Sequence, residues 1–210
     1  MLPSVVTYNL AVAVATNVVN AAAIQGPGAL PLVTSTGVVL DTQRRVLITA
    51  TGNESANSFT VVGLNQANMT VSEVITGPNA STTQSNLDFR TVLSVRALAT
   101  TSGTVSVGTD GAGSSLWNIM NWHATPTDIA LAAVIQSGAA NYTVQYTYDD
   151  PNNLPAGVSF PNPINHPNLT AQGVTADGVI TQPVTGVRLL VNSGTGTVRF
   201  TSIQGGIGTP

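Results

Sequence analysis

The chain has 210 residues, of which six are basic, all of them Arg, and nine are acidic; it has no Lys and no Cys. This excludes disulfides and thiolate metal sites, and it excludes a nucleic-acid surface, which needs clustered Lys and Arg against phosphates. Charged residues are 7% of the chain, against roughly 25% in an ordinary soluble domain, so its polar surface is mostly Thr, Ser, Asn, Gln and Gly. Such a surface meets other protein at little desolvation cost, which favours a subunit of an assembly.

Residues 1–23 are apolar, but they lack the basic stretch of a signal peptide, and Asn9, Asn17 and Asn20 interrupt them. No run reaches the ~18 apolar residues of a membrane helix, so no membrane partner is expected. Residues 1–41 read as an extended N-terminal segment, strand plus arm. Beyond them, short runs rich in Val, Thr, Ile and aromatics are punctuated by Gly, Asn and Ser-Gly turns, which predicts strands. Residues 46–62 predict a hairpin around Gly52, and residues 92–107 predict a second around a Ser-Gly-Thr turn. The Gly/Ser-rich stretch 109–115 predicts a break near residue 111. Residues 129–146 predict a hairpin around Gly138. There Tyr142, Val144, Tyr146 and Tyr148 share one face, and Thr143, Gln145 and Thr147 share the other.

In residues 152–167, Pro155, Pro161, Pro163 and Pro167 predict extended chain, either a surface loop or an arm laid on a neighbouring subunit. Residues 184–200 predict a last hairpin, whose Ser-Gly-Thr turn repeats that of 92–107. Each half therefore reads as hairpin, connection, hairpin. The expected fold is all-β, with two tandem antiparallel β-sandwich halves of Ig-like or Greek-key type. The first domain is 1–110 and the second 111–210. The alternative is one sandwich whose strand pairs share turn chemistry.

The residues assemble no expected catalytic, cofactor-binding or metal site, and the chain reads as a non-enzyme without cofactors. A nucleophile needs a base beside it, and neither His123 nor His166 has such a motif. His123 follows Trp117 and Trp122 and reads as a packed or surface aromatic. His166 reads as exposed in the Pro-rich loop. Asp149-Asp150-Pro-Asn-Asn offers oxygens to a cation but lacks the spacing of a calcium loop, and reads as an Asx turn. Gly111-Ala-Gly-Ser-Ser has no Lys and opens no helix, so it is no phosphate loop. Arg96 and Arg188 recur at matching places. Both read as rim-facing, with their stems on the sheet; the alternative is pairing across a subunit interface.

Four stretches carry a resemblance. Residues 44–63, Arg-Arg-Val-Leu-Ile-Thr-Ala-Thr-Gly-Asn-Glu-Ser-Ala-Asn-Ser-Phe-Thr-Val-Val-Gly, are followed by Val71-Ser-Glu-Val-Ile-Thr-Gly-Pro-Asn-Ala. Together with Asn141-Tyr-Thr-Val-Gln-Tyr-Thr-Tyr-Asp-Asp and Val187-Arg-Leu-Leu-Val-Asn-Ser-Gly-Thr-Gly-Thr-Val, they resemble a group of tailed-bacteriophage virion proteins. The resemblance spans most of residues 40–204 and implies a structural particle component. It supplies no functional residue.

The expected function is a capsid decoration or cement protein, or a head–tail accessory subunit. It would be made in the bacterial host cytoplasm and located in the virion. Its expected partners are the major capsid or tail and neck proteins and further copies of itself. The alternative is a tail-associated adhesion or carbohydrate-binding module using Trp117, Trp122 and Tyr148.

Overall fold

Strands form where the Val, Thr and Ile runs predict them, and no helix occurs among the described residues. The computed structural model describes residues 4–9, 13–123, 127–155 and 160–205, with side chains from residue 13 onward. In chain order the strands begin with β1 (Ser4–Asn9), β2 (Val14–Ala22), β3 (Gly28–Ala29), β4 (Val38–Ala50) and β5 (Ser58–Leu64). Then come β6 (Thr70–Thr76), β7 (Thr82–Ala97), β8 (Val105–Ser114), β9 (Asn118–Ile119) and β10 (Ile129–Ser137). The last are β11 (Ala140–Thr147), β12 (Ile164–Asn165), β13 (Ala176–Ile180), β14 (Gly186–Gly194) and β15 (Thr197–Gln204).

The chain divides into two compact units. One is Val12–Gly113, the other Ser114–Pro210 together with Met1–Ala11. In the first unit the strand order is β8-β4-β7-β5-β6, with β2 on β8 and β3 on β7. Its core takes Val18 and Val19 from β2, Ile48 from β4, Phe59 and Val61 from β5, Phe89 and Val95 from β7, and Val107 from β8. Each such side chain contributes about 1.5–3 kcal/mol by leaving water. The N-terminal arm is thereby corrected. Val18, Val19 and Leu30 are buried, because the first unit offers these apolar residues their way out of water. Leu30 N–H donates to Val95 O and Val33 N–H to Val18 O.

In the second unit a four-stranded sheet runs β1-β15-β10-β13, and β12-β11-β14 form a further run with β9 on β14. One core cluster draws on strands of both runs. Ile129, Leu131 and Ala133 come from β10, Ile180 from β13, and Val198 and Phe200 from β15; Tyr142 and Val144 come from β11, and Leu189 and Val191 from β14. β1 pairs with β15 from Ser4↔Ser202 to Asn9↔Thr197. This strand therefore belongs with the second unit, whereas the sequence reading gave all of 1–110 to the first.

The four predicted hairpins are strand–turn–strand segments, but their strands do not pair with each other. β10 pairs with β15 and β13, while β11 pairs with β14 and β12. In the first unit β5 lies between β7 and β6, β4 lies between β8 and β7, and no ladder joins β4 to β5 or β7 to β8. Each segment is an arch, and two arches stack in each unit. Their turns touch. Gly196 N–H donates to Ala139 O at 2.9 Å, and a Cβ on Gly138 would lie 3.0 Å from the Gly196 Cα. In the first unit Thr51 N–H donates to Thr104 O at 3.0 Å, and a Cβ on Gly103 would lie 2.6 Å from the Gly52 nitrogen.

Candidate functional site

Successive residues of a strand point to opposite faces. In β10, β13 and β15 one set enters the core, and the other faces solvent. The register aligns the outer set in rows. Ala130 sits between Val179 on β13 and Ile203 on β15. Val179 is 54% exposed and Ile203 47%. In the next row Ala132 sits between Asp177 and Thr201, and beyond it Val134 pairs with Arg199. The solvent side of an antiparallel sheet is ordinarily polar. Here, among the described residues, it carries Ala, Val, Ile and Thr, with Asp177 and Arg199 as its acid and base.

The β13 edge of this sheet is covered by a residue expected to be exposed. His166 is only 3% exposed. Its Nδ1 accepts the Asn168 N–H at 3.3 Å, leaving Nε2 as the donor to Val179 O at 3.1 Å. The ring lies flush on the strand because Gly178 has no side chain; a Cβ there would be 2.9 Å from His166 Cε1. Residues 164–165 pair with β11, so this end of the Pro-rich stretch is docked on its own unit. Residues 156–159 lie outside the described residues.

Arg188 corrects a second expectation. It is 9% exposed, not rim-facing. Its Nε donates to Gln145 Oε1 at 2.9 Å and its Nη1 to Ser114 Oγ at 3.2 Å. Its guanidinium stacks 4.6 Å from the centroid of the Trp117 ring. The reason is that β11 is buried on both faces: Thr143, Gln145 and Thr147 are buried, as Tyr142 and Val144 are. Arg96 does stay exposed, so the two arginines hold different environments.

Burial of Trp117 also removes one ring from the glycan platform. Trp122 is exposed and tilts 43° to His123 at 5.6 Å. Tyr148 meets Tyr146 edge-on, with the rings 81° apart, so the pair forms no flat stacking surface.

The carboxylates are engaged in local structure. Asp150 Oδ1 accepts the Asn152 N–H at 3.0 Å, the expected Asx turn, and Asp149 Oδ2 accepts the Asn162 N–H at 2.7 Å. Arg44 is buried, with Nε and Nη2 on the two oxygens of Asp41 at 2.6 and 2.8 Å and Nη1 on Asp110 O at 2.8 Å. Burial pushes the Asp110 carboxyl up from its ordinary value, against the lowering effect of the Ala112 N–H and the nearby Arg45. No group of three His, Cys, Asp or Glu that could hold a metal ion occurs among the described residues.

One structural residue escaped the sequence reading. Glu54, 2% exposed, joins the two stacked turns of the first unit. Its Oε1 accepts Ser102 N–H at 2.6 Å, Ser102 Oγ at 2.9 Å and Gly103 N–H at 3.2 Å, and its Oε2 accepts Asn57 Nδ2 at 3.1 Å. Burial alone would raise its carboxyl; the hydrogen bonds from Asn57, Ser102 and Gly103 prevail and hold it below the ordinary value. The available signal was a lone acid, Glu-x-x-Asn, in an otherwise uncharged turn.

No family model and no curated protein matches the chain.

Proposed function

We propose that the chain is a non-enzymatic structural protein of a tailed-phage virion. In this reading it is a capsid decoration or head–tail accessory subunit that stabilises the particle by packing on its neighbours. The observation that carries this reading is the outer face of the β1-β15-β10-β13 sheet. An exposed row of Val179, Ala130 and Ile203 in a chain with 7% charge suits lasting protein contact. The resemblance of residues 40–204 to phage virion proteins supports the setting. The partners are the major capsid or the tail and neck proteins, and other copies of the chain.

The finer architecture belongs to the same proposal: two tandem antiparallel sandwiches on one plan. The pairing of the arches supports it. In each unit the first strand of the first arch pairs with the second strand of the second arch, β4 with β8 and β10 with β15. The remaining two also pair, β5 with β7 and β11 with β14.

Mass spectrometry of purified particles tests the role. The expected result is the chain present in many copies per particle, and loss of incorporation for Val179→Asp, whose exposed position leaves folding intact. Absence of the unmodified chain from the particle overturns the proposal.

A further inference from the structure

We infer that β1 is an exchangeable strand, and that the β15 edge of the second unit accepts Ser4–Asn9 of a second copy of this chain. Three observations converge on it. First, among the described residues β1 lies at the edge of its sheet and pairs with β15 alone. Second, its six register pairs run without a bulge, so an identical segment from another copy finds the same complete ladder. Third, β1 is separated in sequence from the rest of its unit by all of Val12–Gly113, a compact unit with its own core.

No short turn ties β1 to β15. An in-chain partner held by a tight hairpin enjoys a large effective concentration, and that advantage shrinks as the connecting chain lengthens. For β1 no tight turn onto β15 supplies that advantage, so a neighbour's copy competes for the same ladder. Exchange needs no new complementarity, because the element exchanged is identical.

The edge also has to be filled. Val6 and Tyr8 hold the register positions opposite Phe200 and Val198, both of them buried core residues. A β15 edge without β1 leaves unpaired backbone groups. The opposite edge of the sheet, β13, already has His166 on Val179 O. Growth by exchange is therefore directed to the β15 side.

This deepens the reading of the chain as an assembly subunit and can fail separately from it. Particle composition decides the role, whereas strand exchange is read on the purified chain alone. The absence of Cys makes disulfide trapping unambiguous. Two register pairs of opposite parity serve, Thr7 with Arg199 and Tyr8 with Val198. For each, the two Cys substitutions are placed first in one chain, then in two differently tagged chains that are refolded together and oxidised.

The double variants, Thr7→Cys with Arg199→Cys and Tyr8→Cys with Val198→Cys, report the register within one chain. The mixed chains form a heterodisulfide only when β1 of one copy lies on β15 of the other. The expected result is a heterodisulfide whose fraction rises roughly tenfold for tenfold concentration while exchange is the minority state. Thr7→Cys mixed with an out-of-register Thr197→Cys should give several-fold less. If the double variants close within the chain while the mixtures stay unlinked at every concentration, exchange is overturned. If neither double variant closes, β1 does not occupy that edge in solution, and the inference is equally overturned.

Discussion

Glu54 shows how much one carboxylate can hold in a chain with few charges. Three of its four hydrogen bonds tie the turn after β4 to the turn after β7, and the fourth, from Asn57, braces the first turn itself. Removing it leaves the Ser102 and Gly103 N–H groups without their acceptor, so Glu54→Ala should cost about 3 kcal/mol in urea unfolding. Its carboxyl sits below the ordinary 4.5, so the unfolded chain binds the proton more readily. The stability it contributes is complete above that value and is lost as pH falls through the lower folded value. Glu54→Gln should therefore flatten the fall in urea midpoint on acidification below about pH 4.5. Asp110 works in the opposite sense. Its folded value is raised above 3.8, so its ionisation weakens the fold as pH rises through that value. Because Glu54→Gln leaves Asp110 in place, comparison with the unmodified chain isolates Glu54. Neither environment was legible in the sequence. Glu54 sits in a run of Thr, Gly, Asn and Ser that looks like solvated loop, and the backbone donors that bury it come from a turn 48 residues away.

At the scale of elements, the strands were legible and their partners were not. Period-two alternation shows that Tyr142 and Val144 share a face, and glycines mark where the chain reverses. Neither signal says which strand lies alongside. A turn such as 137–140 serves a hairpin or an arch equally well, and only packing against the second arch decides between them. The same limit explains Arg188. Its recurrence with Arg96 was visible, but the cover over β11 that buries it comes from distant residues such as Trp117. The stacked turns make a testable demand at Gly194, which has φ +101°. A side chain is strained there in any event, and a Cβ would also strike the Ala139 carbonyl oxygen. Gly194→Ala should lower stability by about 1–3 kcal/mol, read as a lower urea midpoint with an unchanged slope.

For the whole molecule, the proposed association is set by the scarcity of charge. A contact through Val179, Ala130 and Ile203, as proposed, is apolar, and Asp177 and Arg199 are the charges on that face among the described residues. Raising the salt from 0.05 to 0.5 M should therefore change self-association by no more than about threefold, since screening acts on charge pairs and leaves apolar burial in place. Analytical ultracentrifugation at the two salt concentrations checks this. A drop of tenfold or more would mean that ion pairs dominate the contact. The all-β class was legible from the runs of Val, Thr and Ile between turn residues, and the low-charge surface from composition. The apolar outer face was not, because it depends on the register that puts Ala130 beside both Val179 and Ile203.

The pairing of β1 with β15 also orders events in time. Its partners are almost a chain length apart, so its closure carries the largest entropic cost of any ladder in the molecule and comes late in folding. During synthesis β1 is made before the rest of its own unit, and at 5–20 residues per second it waits on the order of ten seconds or more for β15. Through that interval a strand of Ser, Val, Thr, Tyr and Asn stands ready to pair. The proposed exchange therefore has its opening during synthesis, before a copy has closed its own sheet.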